Sequence, residues 1–158
     1  MWKRERLVVA CGVLAFLLAG VCLGAAAASG SWHAPPEGRL LEAVKFEVGV
    51  GIYFLSLALL GPFAGMTERG RRRWVAWTVG NALYFVPIEA VQAIRGLDPR
   101  FTRAGSVIDQ AAGGIFGLTA IVTIVLFVIL VRRFFSRDVL PDQPALRLAI
   151  RYGAAAIV

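Results

Sequence analysis

Polar side chains recur along an otherwise apolar stretch of the chain, the segment Val75–Arg95. Asn81, Glu89, Gln92 and Arg95 are spaced at three or four residues or a multiple of four, so a helix places them on one face. The stretch reaches the length of about 20 residues that a membrane-spanning helix needs. An acidic side chain costs roughly 2.5–3.5 kcal/mol at mid-bilayer, so Glu89 is expected to face protein or water. Such a carboxylate can carry a proton or hold a cation, as coupled transport sites do.

A second group of charges lies in the first turns of the preceding apolar stretch, residues 40–63. Glu42 and Lys45 are three residues apart and can pair on one helix face. Lys45 is long enough to extend its ammonium to the membrane surface, whereas Glu47 lies deeper and is shorter. Glu47 is therefore the more informative residue of this group.

The two groups of charges lie at matching depth if the two stretches are antiparallel helices. We therefore predict an ion pair between Lys45 and Glu89, and a contact of Arg95 with Glu47 or Asp109. Three roles are open for such charges: pairs that fix the helix register, a functional site in a water-filled cavity, or side chains that extend to the surface. The predicted intramembrane polar cluster comprises Lys45, Glu47, Asn81, Glu89, Gln92, Arg95 and Asp109.

Composition indicates the class of protein that carries these charges. The 158 residues are 58% hydrophobic and 17% charged, with a mean hydropathy of +0.71. Soluble domains are about 45–50% apolar and about 25% charged. The net charge of +7 comes from arginines that flank apolar runs, so it indicates membrane topology and anionic lipid and not nucleic acid. We predict an all-α polytopic membrane protein.

The apolar runs predict four transmembrane helices in a single domain, at residues 7–28, 40–63, 74–95 and 111–131. The first run is long for a signal peptide, which makes a first crossing the preferred interpretation. Gly20 and Gly24 form a small-residue pair there that would let a neighbouring helix approach closely. The tail, residues 145–158, is too short to cross and predicts a truncated or interfacial fifth helix.

Arginine and lysine residues are asymmetrically placed around these segments. They flank the N-terminus, the segment 66–74 and the end of the fourth run, with fewer on the opposite side. The basic residues in question are Lys3, Arg4, Arg6, Arg69, Arg71, Arg72, Arg73, Arg132, Arg133 and Arg137. The positive-inside rule therefore predicts a multi-pass protein of the cell inner (plasma) membrane with a cytoplasmic N-terminus.

Catalytic and metal-binding patterns are missing from the sequence. Cys11 and Cys22 are about 16 Å apart along a helix, too far for a disulfide or a shared metal. His33 is the single histidine, and there is no HExxH pattern, serine triad or glycine-rich phosphate loop. We therefore expect no catalytic residues, no metal and no cofactor.

Short motifs spread over residues 40–153 resemble the N-terminal half of a family of uncharacterised bacterial multi-spanning integral membrane proteins. The motifs are Lys45-Phe46, Ile52-Tyr53, the arginine-rich turn, Ile88-Glu89 with Gln92, Arg95-Gly96, Phe101, Asp109 and Arg147 to Arg151-Tyr152-Gly153. Members of that family continue through several more helices. The resemblance implies an architecture and no particular activity.

Two functions from different classes follow from these patterns. The first is a non-enzymatic membrane protein, acting as a structural or accessory subunit or as part of a larger helical bundle. The alternative is a small transporter or channel with a polar site at Glu89, Gln92 and Asn81 in the outer half of the membrane. The expected partners are the lipid bilayer and other membrane subunits or a second copy of the chain.

Overall fold

The computed structural model of the chain describes residues 5–136 and 144–155, and within them the all-α class is confirmed. Lys3, Arg4, Arg137 and residues 156–158, which entered the topology and tail predictions, lie outside the described residues. The elements in chain order are α1 (Glu5–Ser29), a hairpin of β1 (His33–Ala34) and β2 (Gly38–Arg39), α2 (Leu40–Leu60), a 3-10 turn (Gly61–Ala64), α3 (Glu68–Ile94), α4 (Val107–Ser136) and α5 (Pro144–Ala155).

Two helices, α3 and α4, begin at least four residues earlier than the sequence patterns predict. The arginine-rich segment after residue 66 was expected to be a turn, but it forms the first turns of α3. Thr67 caps this helix, because its hydroxyl oxygen accepts a hydrogen bond from the backbone N–H of Gly70 at 3.2 Å. Likewise α4 begins at Val107, four residues before the predicted start at 111. Helix caps therefore decide these boundaries, and hydropathy does not.

Three of the described helices are long and apolar enough to cross a membrane: α1, the segment Leu40–Ala64 and the segment Val107–Phe135. Helix α3 has 27 residues, but Asn81, Glu89 and Gln92 interrupt its apolar part. The predicted count of four crossings is therefore not confirmed, and the crossing by α3 stays a prediction.

Helices α1 and α2 pack closely against each other at two glycines. A Cβ atom added to Gly12 would lie 3.1 Å from the carbonyl oxygen of Gly51, and one added to Gly51 would lie 2.8 Å from the ring of Phe16. By contrast, a Cβ atom at Gly20 or Gly24 would meet nothing within 4 Å. Within this chain the close helix contact therefore falls at Gly12 and Gly51, while the predicted pair faces open space.

Contacts at both ends of the bundle show how the four long helices run. An ion pair between Glu5 and Arg71 joins the start of α1 to the start of α3. At the other end, the backbone N–H of Glu37 in the hairpin donates to the carbonyl oxygen of Gly96 at 2.8 Å. Helices α1 to α4 therefore alternate in direction, and we call the end that carries β1, β2 and residues 95–106 the hairpin end.

The centre of the bundle is aromatic and its last helix packs on the far end of α4. Phe54 and Phe85 are buried and stack with ring centroids 6.1 Å apart. In α5, Ile150 is buried and the guanidinium Nε of Arg151 donates to the carbonyl oxygen of Phe134 at 2.8 Å. The described part of the tail is therefore a helix docked on α4.

Two glycines allow the hairpin to lie directly on the end of α3. Gly96 has a φ of +80°, and a Cβ atom there would overlap the carbonyl oxygen of Pro35. A Cβ atom at Gly38 would overlap the carbonyl oxygen of Ala93. Only glycine avoids both the strain of a positive φ and the overlap with Pro35 at position 96, so the contact between the hairpin and α3 depends on Gly96.

The substitution Gly96→Ala is expected to lower the thermal unfolding temperature of the purified protein in detergent. A non-glycine residue at positive φ costs about 1–3 kcal/mol, and here the new methyl group also overlaps the hairpin. Gly30→Ala is the matched control, because Gly30 also has a positive φ, of 64°, but a Cβ atom there would meet nothing within 4 Å. Equal losses for the two variants would contradict the close packing at Gly96.

Candidate functional site

Asp109 in the first turn of α4 is the centre of a hydrogen-bonded cluster at the hairpin end. Its Oδ1 accepts from the Arg95 guanidinium at 2.6 Å and from the Gln92 amide at 3.1 Å. Its Oδ2 accepts from the backbone N–H and the hydroxyl of Ser106, at 2.9 Å and 2.7 Å. The predicted contact between Arg95 and Asp109 is therefore present, and it ties the end of α3 to the start of α4.

The same carboxylate forms a helix cap that the sequence analysis missed. Ser106 precedes α4, and its hydroxyl oxygen accepts a hydrogen bond from the backbone N–H of Asp109 at 3.3 Å. In return, Asp109 accepts from the backbone N–H of Ser106, which makes a reciprocal capping box. The pattern of a serine followed three residues later by an acidic residue, before an apolar run, is the signal that predicts such a cap. It explains why α4 begins at Val107.

Glu89 is paired with Arg100, so the predicted ion pair between Lys45 and Glu89 is wrong. Nη2 of Arg100 lies 3.2 Å from each carboxylate oxygen of Glu89, whose side chain is only 2% exposed. The guanidinium carbon of Arg100 lies 5.6 Å from the ring centroids of both Phe46 and Phe116. A planar guanidinium can stack on aromatic rings while the N–H groups at its edge bind a carboxylate, whereas an ammonium group has no plane to stack. Lys45 is exposed on α2 instead.

The path of the loop lets Arg100 reach this position. A Cβ atom at Gly113 in α4 would lie 2.6 Å from the carbonyl oxygen of Arg100. Gly113 therefore allows the loop backbone to lie against α4, and the side chain of Arg100 then extends inward.

Glu47 differs from every other predicted member of the cluster. It is completely buried on α2, and neither carboxylate oxygen receives a hydrogen bond from any described residue. Glu89 lies close enough for the two carboxylates to repel each other. The second option predicted for Arg95, a contact with Glu47, is therefore not the one found.

Asn81 lies nearer the middle of the bundle, apart from the ion pairs. Its amide nitrogen donates to the carbonyl oxygen of Thr119 at 2.9 Å and to the hydroxyl of Thr123 at 2.6 Å. Both acceptors belong to α4, so this amide joins α3 to α4. A hydrogen bond from an amide side chain to a neighbouring helix is typical of contacts between transmembrane helices.

Glu37 in the hairpin binds the loop that carries Arg100, a role that hydropathy and helical spacing do not predict. Its carboxylate accepts from the hydroxyl of Thr102 at 2.6 Å and from the backbone N–H groups of Arg103 and Ala104 at 3.0 Å and 3.2 Å. These hydrogen bonds hold the pKa of the Glu37 carboxyl below its usual range, and the bond from Thr102 has the largest effect. Glu37 therefore fixes residues 102–104 over the cluster.

Metal ligation has no candidate in the part of the chain that the structure describes. Within residues 5–136 and 144–155, no three His, Cys, Asp or Glu side chains are placed together to hold an ion. Cys11 and Cys22 are both buried free thiols in α1.

Comparisons with known proteins add no functional assignment. No family model, curated protein or solved structure matches the chain.

Replacing Arg100 with leucine is expected to destabilise the protein by up to about 3 kcal/mol, because it leaves the Glu89 carboxylate buried without a cation. That value lies at the lower end for buried pairs, since the Arg100 side chain is 36% exposed. The double variant Arg100→Leu/Glu89→Leu should recover most of the loss. The measurement is the free energy of unfolding in mixed detergent micelles.

The control for this cycle is Arg103→Leu, which removes the same charge from an exposed position in the same loop. It is expected to change the free energy of unfolding by less than about 0.5 kcal/mol. Equal effects of the two arginine substitutions, or no recovery in the double variant, would contradict the pairing of Glu89 with Arg100.

Proposed function

We propose that the chain is a four-crossing integral membrane protein of the plasma membrane that acts as a non-enzymatic helical subunit. Three helices with the length and apolarity to cross support the membrane location. The architecture also fits the resemblance to bacterial multi-spanning membrane proteins, whose helices continue further.

The fourth crossing in this proposal is α3. Its first turns are joined to α1 through Arg71 and Glu5, and its last turn lies under the hairpin. It therefore extends between the same two ends as the three apolar helices. Its polar groups Asn81, Glu89 and Gln92 all have partners within the protein, which is the condition under which such groups are tolerated in a membrane.

The observation that carries the subunit function is how these polar groups are used. Asn81 and Gln92 bind α4, and Glu89 binds the loop between α3 and α4. Groups that bind one another fix the arrangement of helices, whereas a transport path requires groups that face water or a substrate. The transporter or channel function therefore ranks second.

The surface that would bind another subunit is the face of α1 that carries Gly20 and Gly24. Both residues are exposed, and a Cβ atom at either would meet nothing within 4 Å. Small residues four apart let a second helix approach closely in a bilayer, where van der Waals packing contributes to helix association. We propose that a helix of another subunit, or of a second copy of the chain, packs there.

Cysteine labelling tests the four crossings. Phe101→Cys should react with a membrane-impermeant maleimide added outside the cell, because Phe101 is 83% exposed in the loop at the hairpin end. Arg72→Cys should react only after the membrane is opened. The native Cys11 and Cys22 are buried and give little background. Labelling of both introduced cysteines from the same side would mean that α3 does not cross.

Gly20→Leu tests the subunit interface. Because a Cβ atom at position 20 meets no described residue of the chain within 4 Å, the monomer should keep its thermal stability while the complex in native membranes is lost. The size of the complex is measured by native electrophoresis after mild solubilisation. Gly80→Leu is the matched control, since Gly80 is an exposed glycine on α3 whose Cβ atom also meets nothing within 4 Å. Equal complex sizes for both variants would contradict this interface.

A further inference from the structure

Glu47 is the one buried carboxylate of the predicted cluster whose charge nothing in the described residues balances. Its residue exposure is 0%, and neither oxygen receives a hydrogen bond from the described protein groups. Asp109 shows the contrast, because four donors surround its two oxygens. The difference needs a chemical explanation, since an isolated ionised carboxylate is very unfavourable in an apolar environment.

The surroundings of Glu47 contain one cation for two carboxylates. Glu89 on α3 repels Glu47. The Arg100 guanidinium faces Glu89, and its Nη2 lies 3.2 Å from each of the two Glu89 carboxylate oxygens. Cys22 on α1 is close enough to interact electrostatically with both carboxylates, and its side chain is completely buried. If Glu47 and Glu89 were both ionised, the site would carry one uncompensated negative charge. Among the described residues, the titratable and charged groups that act on the pair are Cys22, Glu42, Asp98 and Arg100, and Lys45 lies two residues before Glu47 on α2.

The outlying charges do not supply the missing cation. Lys45 is exposed on α2, and Glu42 is paired with Arg39 at 2.8 Å on the surface. Asp98 adds negative charge near Glu89 and accepts from backbone N–H groups of its own loop. Among the described residues no further cation faces Glu47, so we infer that the balancing charge comes from solution.

We propose that Glu47 is a proton-binding site, which holds one proton at neutral pH while Glu89 stays ionised against Arg100. The proton fits better than a metal ion because Glu47, Glu89 and Cys22 do not form a group placed to ligate one. A proton also needs no space beyond that of the carboxyl group itself, which is completely buried.

Arg100 determines which of the two carboxylates is neutral. Its guanidinium binds Glu89, so Glu89 remains charged and the proton resides on Glu47. Removing the arginine charge leaves two buried carboxylates and no cation, so the site should then bind a second proton, on Glu89. Arg100 is partly exposed at the hairpin end, and this makes the proton content of the site sensitive to the position of the loop.

Infrared spectroscopy of the protein in lipid bilayers tests this assignment through the C=O stretching band of protonated carboxyl groups. In the difference spectrum of wild type against Glu47→Gln at neutral pH, we expect the loss of one such band. In Arg100→Gln, whose side chain is neutral, we expect the band intensity from this site to double. The two variants act in opposite directions, so a folding defect in one of them leaves the other as an independent test.

Three results would overturn the proposal. The first is a protonated-carboxyl band that is unchanged by Glu47→Gln, and the second is no gain of intensity in Arg100→Gln. The third is an ionised Glu47 whose carboxylate band shifts when sodium replaces potassium in the buffer, which would assign the missing charge to a metal cation. None of these results depends on the subunit interface of α1, because the site is formed within a single chain.

Discussion

A polar group removed from water needs a partner, and this requirement determines how the hairpin end of the molecule is built. The partners for the polar groups of α3 come from α4 and from the loop between α3 and α4. Asp109 meets the need for Gln92 and Arg95, and Arg100 meets it for Glu89. The polar groups therefore determine which helix ends lie together, while apolar packing fills the space between them.

The loops at this end are part of the same arrangement. The hairpin binds the connection between α3 and α4 through Glu37, and that connection carries Arg100 inward. Gly96 and Gly113 remove the side chains that would keep the two loops and the helices apart. A chain segment that hydropathy identifies only as a polar linker thus provides the cation for a carboxylate on α3. The site is consequently shared between helices and loops.

The sequence predicted the helices well because long apolar runs have a simple physical cause, the need to bury or solvate apolar surface. It also named Asp109 as one of the two partners predicted for Arg95, because both residues lie next to the same short connection. It failed for Lys45, since helical periodicity does not report which way a residue near a helix end faces. The position of Arg100 could not be predicted in this way, because loop residues have no helical periodicity. Their positions depend on tertiary contacts such as those at Gly113.

Solid-state nuclear magnetic resonance of the protein in lipid bilayers tests most directly whether these ionisable groups meet one another and avoid lipid. With labelled arginine nitrogens and labelled aspartate and glutamate carboxyl carbons, the account predicts through-space contacts of Arg95 with Asp109 and of Arg100 with Glu89. Contacts of the Glu89 and Asp109 carboxyl carbons with lipid acyl chains, in place of arginine, would contradict it.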